Sequence, residues 1–248
     1  MQFNNPLSSE KADRIIHALG VCDGARVIEA GCGRGEFLIR VIEASRACGL
    51  GIDVDATAIA AARDSAARRI PDARVEFRAS DMRDEALRDG RFDLAICLGA
   101  THAFGAGDSA YPNAIERLSR CVCPGGRLLL GEGYWKQAPA AEYLGLIGEP
   151  VGIYRDHAAN ISFAERRGLV PLYALVSNDD EWDHFEWSHR MKIERESALR
   201  PEDRETAQRL ARSRAWRDGY LRWGRATMGF GFYLFMKPSA TRTSTKFG

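Results

Sequence analysis

The sequence has almost no excess of charge of either sign. Its 248 residues carry 35 Lys and Arg against 34 Asp and Glu, a formal net charge of +1. That balance argues against a dedicated nucleic-acid binder, which carries a clear basic excess. No stretch approaches the roughly 18 consecutive apolar residues of a membrane span, so no membrane partner is expected. The opening residues MQFNNPLSSEKAD have no basic region followed by an apolar one. No secretory leader is therefore expected, and a cytoplasmic location is. The six cysteines, Cys22, Cys32, Cys48, Cys97, Cys121 and Cys123, form no CxxC pair, and no His/Cys set has zinc spacing. Reduced thiols, no metal and no disulfide framework follow as expectations.

What is present is alternation. Short β-rich runs at Arg26–Ala30, Gly49–Asp53, Arg74–Ala79, Phe92–Leu98 and Arg127–Glu132 alternate with helical patterns at Glu36–Ser45, Asp55–Arg69 and Pro112–Arg120. Asp55 is placed to cap its helix, and Pro124-Gly125-Gly126 reads as a turn. Strands separated by single helices predict an α/β fold, a mostly parallel sheet covered by helices on both faces. Ligands of such sheets sit at the carboxyl ends of the strands, so the residues just after each strand are the ones to question.

After the first strand comes Glu29-Ala30-Gly31-Cys32-Gly33-Arg34-Gly35-Glu36. Its alternate glycines let backbone pass close under a ligand, and the helix that follows offers free N–H groups. Glu36 stands where a dinucleotide-binding fingerprint needs its last glycine, and a carboxylate there repels a pyrophosphate. Asp53 ends the second strand, where an acid can accept both hydroxyls of a ribose. Asp81 follows the third strand and can accept an exocyclic amine. A dehydrogenase-like YxxxK pair, Tyr233 and Lys237, fails on geometry, because Gly229–Met236 reads as a strand and residues four apart do not meet there as on a helix.

VIEAGCGRGEFL, GIDVD, SDM, FDLAICLGATHAF and VCPGGRLLLGE, in this order over about residues 20–136, resemble the motifs of the class I S-adenosylmethionine-dependent methyltransferases. The resemblance implies a Rossmann-like seven-stranded sheet with its last strand antiparallel, S-adenosylmethionine as methyl donor and S-adenosylhomocysteine as product. By the same resemblance Glu29, Gly31 and Gly33, with Cys32 between them, hold the methionine part. Asp53 holds the ribose, Ile52 or Val54 and Met82 pack by the adenine, Asp81 takes its amine, and the Leu98 carbonyl takes the ammonium. The fourth strand lacks the Asn/Asp-Pro-Pro-aromatic motif of adenine methylases, against a DNA base as acceptor. Cys32 and Cys97 are expected as small apolar filling.

A base is needed if the acceptor is a hydroxyl. His102, after the fourth strand, is the first choice, since imidazole takes a proton near neutral pH. Contact with substrate or cofactor, or a purely structural bond, are its alternatives. Glu132 is the second choice. Thr101, Phe104, Tyr134, Trp135, Trp182 and Trp187 are candidates for the wall of the acceptor pocket. The acceptor is expected to be a small molecule, methylated on oxygen, nitrogen or sulfur. Protein or RNA methylation, or a non-catalytic binder of the same cofactor, are the alternatives. A homo-oligomer is left open.

The domain is expected to span residues 1–238, with a cap helix within 1–24 and a polar, disordered tail at 239–248. Pro139–Ile147 and Arg155–Arg167 read as helices, Leu169–Ser177 and Gly229–Met236 as the last strands. Residues 178–228 between those strands are too long for an unstructured loop and read as a helical lid, with helices over Trp187–Leu199 and from Pro201 to about Arg217. Its acids, Asp179 to Glu186, alternate with Trp182, Phe185 and Trp187. They suit either a cationic amine or a capped helix start packed on the core. The arginine-rich stretch from Arg190 to Arg225 suits an acidic ligand or a solvated helix face.

Overall fold

The computed structural model describes residues 2–200 and 202–239. Seven strands, β1 (Arg26–Ala30), β2 (Cys48–Asp53), β3 (Val75–Ala79), β4 (Phe92–Leu98), β5 (Val122–Trp135), β6 (Val170–Val176) and β7 (Met228–Met236), form one sheet in the order β3-β2-β1-β4-β5-β7-β6. The first five are parallel, and β7 lies antiparallel between β5 and β6. The order reverses between β1 and β4, so the loops that leave those two strands diverge there and open a crevice.

Helices cover both faces. α1 (Ser9–Leu19), α2 (Glu36–Ser45) and α3 (Ala56–Arg69) pack on one side through Ile15, Leu19, Leu38, Ile42 and Ile59. α4 (Ala110–Cys121) and α6 (His157–Glu165) cover the other through Ile115, Leu118 and Ala164. Each fully buried aliphatic side chain contributes about 1.5–3 kcal/mol by leaving water. Ser8 caps α1, and Asp55 caps α3 through the N–H groups of Thr57 and Ala58.

Residues 80–91 between β3 and β4, where the sequence shows no helical pattern, form a turn-rich loop. The structure departs from the sequence-based expectations in two places. Pro124-Gly125-Gly126 is no chain reversal: it is a bulge inside β5, where pairing with β4 jumps from Val122 to Arg127. The helix expected from Trp187 begins eight residues earlier, at Asp179, because Asn178 and Glu181 form a reciprocal capping box. The expected disordered tail lies, apart from Ser239, outside the described residues, as does Pro201.

Between β6 and β7 run α7 (Asp179–Leu199), α8 (Arg204–Gly219), a π-helical turn at Tyr220–Gly224 and α9 (Arg225–Thr227), with α5 (Ala141–Ile147) against α8. Five of the ten arginines of this region are ion-paired: Arg190 with Glu186, Arg209 with Glu196, Arg214 with Glu194, Arg217 with Asp218, and Arg225 with Asp179 and Asp183. Trp182 and Phe185 turn inward to the core. The start of α7 is fastened to the N-terminus. Lys11 pairs with Glu181 in a buried ion pair and donates to the Val176 carbonyl at 2.6 Å, while Ser8 donates to Glu181 at 2.6 Å. Burial alone would raise the Glu181 pKa, but the bonds from Lys11 and Ser8 outweigh it and hold the group below its ordinary value. Lys11→Met removes one charge of a buried pair and is expected to cost about 3 kcal/mol. Urea unfolding checks this, and a midpoint equal to the wild type would show that the pair does not fasten α7.

Candidate active site

The loop after β1 is shaped by close approach. The N–H groups of Gly31 and Cys32 both donate to the Ile52 carbonyl, at 2.8 and 3.0 Å. Gly31 has φ +67°, and a Cβ there would fall 2.1 Å from the Ala100 Cβ of the loop after β4. Only glycine lets these two loops meet at the switch point. Gly33 differs: at φ +52° a Cβ would meet nothing within 4 Å. Its backbone therefore borders open space, and its N–H donates to Asp53 Oδ2 at 2.7 Å.

Asp53 is half-buried at the end of β2 and also accepts from the Asp55 N–H at 2.9 Å. Glu29 is buried on β1 and accepts from the Leu38 N–H of α2 at 3.1 Å. Burial pushes its carboxyl up to about 8, and Asp53 adds to the rise. Asp81 is half-buried after β3 and bound by its neighbour Arg83, whose backbone N–H and guanidinium hold it down to about 2. Val54 is 75% exposed on the same side, while Met82 and Ile52 are buried together beneath. The Leu98 carbonyl accepts from Asn5 Nδ2 at 3.4 Å, so the N-terminal segment reaches over the end of β4. Burial pushes the Cys32 and Cys97 thiols up, so both stay protonated.

A cavity of about 560 Å³ opens beyond the ends of β4 and β5. Thr101, His102, Glu132 and Trp182 line it, brought together from three parts of the chain. Glu132 is buried. Its Oε2 accepts from Thr101 Oγ1 at 2.6 Å, and its Oε1 accepts from the Gly133 N–H at 3.0 Å. Burial raises its carboxyl to about 7, against the opposing pull of Thr101, the Gly133 N–H and Arg155. His102 is exposed at the rim.

Four residues expected in the wall stand elsewhere. Phe104 is in the core under α4. Tyr134 packs on Gly229 and lies 5.2 Å from the His157 ring. Trp135 donates from Nε1 to the Val151 carbonyl at 2.8 Å and is edge-on to Tyr154. Trp187 is 45% exposed, on the outer face of α7. In their place stand Asn5, Tyr111, Tyr154, Phe185 and Phe230. Of these, only the aromatic pattern of the insert pointed to one, Phe185. Two buried polar atoms of this wall, Asn5 Oδ1 and Trp182 Nε1, have no partner among the described residues, as polar groups do where a ligand or water completes them.

Among the described residues no three His, Cys, Asp or Glu side chains are grouped to hold a metal, and no helix is long and apolar enough to cross a membrane. The arrangement thus has two parts side by side. One is an open glycine loop flanked by acids at the ends of β1, β2 and β3. The other is an aromatic cavity with one buried carboxylate.

Residues 27–126 match a family model described as a methyltransferase domain. The chain is 26% identical over 244 residues to the uncharacterized protein YjhP of Escherichia coli strain K12, covering 95% of this chain and 94% of that one. It is 29% identical over 205 residues to the 27-O-demethylrifamycin SV methyltransferase of Amycolatopsis mediterranei strain S699, covering 81% of this chain and 63% of that protein. A crystal structure of a SAM-dependent methyltransferase from Geobacter sulfurreducens, in complex with S-adenosyl-L-homocysteine, superposes with a TM-score of 0.86 at 26% identity, covering 96% of this chain and 94% of that one. With the strand order, the glycine loop and the acids at three strand ends, these likenesses place the chain in the class I S-adenosylmethionine-dependent methyltransferases.

Proposed function

We propose that the protein moves the methyl group of S-adenosylmethionine to a small molecule held in the cavity beyond β4 and β5, with a hydroxyl oxygen as acceptor. The observation that carries this reading is Glu132, a buried carboxylate with a raised pKa in the wall of a cavity that Gly99 and Thr101 also line, on either side of the Ala100 that Gly31 packs against. The rifamycin relative, whose name states an O-methylation of a small molecule, supports it.

The residues present suit the cofactor. Gly33 leaves the space a backbone-hugging ligand needs, and Asp53 offers a carboxylate to two ribose hydroxyls. Glu29, Gly31 and Cys32 form the floor, and Val54, Met82 and Asp81 border the adenine side. The Leu98 carbonyl serves the ammonium once Asn5 yields it. Bound there, the cofactor supplies an electrophilic methyl carbon on sulfur. What the chain adds is position: a wall that lines acceptor and donor up for in-line displacement is worth several kcal/mol. Glu132 takes the hydroxyl proton as the carbon–oxygen bond forms and the carbon–sulfur bond breaks, leaving S-adenosylhomocysteine. Thr101 orients Glu132 and favours its ionised form. The protonated carboxyl returns its proton to solvent after product leaves.

His102 is assigned here to the cavity rim, as a contact for the acceptor. His102→Ala is expected to raise KM while leaving kcat within about threefold, well short of the 10²–10⁴ that loss of a catalytic base costs. Steady-state kinetics with an identified acceptor decide it. A hundredfold fall in kcat would return the base role to His102. The reading as a whole is tested by a metabolite screen against the protein with S-adenosylmethionine, read as acceptor-dependent S-adenosylhomocysteine.

A further inference from the structure

The charges around the cavity are one-sided. Glu132 and Glu149 line it, and among the described residues no Lys or Arg does. The nearby cation, Arg155, sits behind the aromatic layer. Its guanidinium lies 5.5 Å over the Tyr111 ring and 4.7 Å over the Phe163 ring, and it donates to the Asp108 carbonyl at 3.5 Å. A carboxylate or phosphate on the acceptor would find no counter-charge among the described wall residues and would meet the buried Glu132, a like-charge contact that weakens binding. Five rings also line it: Tyr111, Tyr154, Trp182, Phe185 and Phe230. Such a wall favours a flat apolar body, and the volume lies within the range of small-molecule sites.

Glu132 also discriminates among uncharged acceptors. An amine bonded to a buried carboxylate is held protonated, and an ammonium has no lone pair to receive a methyl group. A phenol ionises at roughly 10, within reach of a carboxylate raised toward neutrality. An aliphatic alcohol holds its proton far more tightly. We propose that the acceptor is an uncharged phenol, its ring among the cavity aromatics and its hydroxyl on Glu132. This rests on the methyl-transfer reading above and narrows it to one acceptor class.

The test uses three probes of one shape: 1-naphthol, 1-hydroxy-2-naphthoate and 1-naphthylmethylamine. Each is titrated calorimetrically into the full chain near neutral pH, with and without saturating S-adenosylhomocysteine, and each is assayed for methylation. 1-Naphthol is expected to bind and be methylated. The naphthoate is expected to bind at least about tenfold more weakly, and Glu132→Gln to bring the two within about threefold. The amine is expected to bind without being methylated. Equal or tighter binding of the naphthoate, methylation of the amine in preference to naphthol, or no binding of 1-naphthol to folded wild type overturns the proposal. Failure of S-adenosylhomocysteine to bind counts against the methyl-transfer reading instead. The order of the probes in the cofactor-free chain still decides the charge preference of the cavity.

Discussion

Asp53→Ala is expected to weaken S-adenosylhomocysteine binding about 100-fold. Two hydrogen bonds from ribose hydroxyls to a carboxylate, at roughly 1.5 kcal/mol or more each, sum to about 3 kcal/mol. The substitution also frees the Gly33 and Asp55 N–H groups, which Asp53 holds at 2.7 and 2.9 Å. Asp53→Asn keeps one acceptor oxygen and is expected to fall between. Isothermal titration of each folded variant gives the answer. An unchanged affinity in Asp53→Ala would remove the ribose role from the end of β2.

Glu132→Gln is expected to lower kcat by 10²–10⁴ on a hydroxyl acceptor, the usual worth of a general base. The wild-type rate should rise with pH up to about 7 and level off above it, since the base must be ionised. Thr101→Val removes a bond that favours ionisation, so the rise should move to higher pH, and Thr101→Ser should restore it. Glu132→Gln also has a stability signature, of opposite sense. The folded pKa of Glu132 lies above its ordinary value of 4.5. The unfolded chain therefore releases this proton first as pH rises. The carboxyl's contribution to stability is full below about 4.5, falls between there and about 7, and is flat beyond. Glu132→Gln should consequently gain stability over wild type at pH 8, by about 3 kcal/mol at most, and lose that advantage near pH 4.5. A variant that is less active and less stable at every pH would mark Glu132 as structural.

The legible part of the fold was the part with local signals. Runs such as Phe92–Leu98 and the helix over Glu36–Ser45 declare themselves through their apolar pattern and through their flanking glycines. The glycine loop and the acids at Asp53 and Asp81 were visible because a parallel sheet delivers its strand ends to one edge. The early start of α7 was written in Asn178-x-x-Glu181, but its acids and aromatics also suited a ligand contact. The cavity wall was not legible. Asn5 reaches it through a bond to the Leu98 carbonyl 93 residues away. Tyr154 fills the space beside Gly133 from a loop with no periodic pattern. Tyr134 and Trp135 follow Glu132 in sequence but spend their rings on His157 and Tyr154. Only the packed chain decides which aromatic faces the cavity.

Methyl transfer to a small molecule through Glu132 is followed directly by the fate of labelled methyl from S-adenosylmethionine incubated with the protein and a whole metabolite, protein and RNA extract. Label is expected in the low-mass fraction, lost in Glu132→Gln and in Asp53→Ala. Label confined to protein or RNA, or no transfer by a chain that binds S-adenosylhomocysteine, would contradict it.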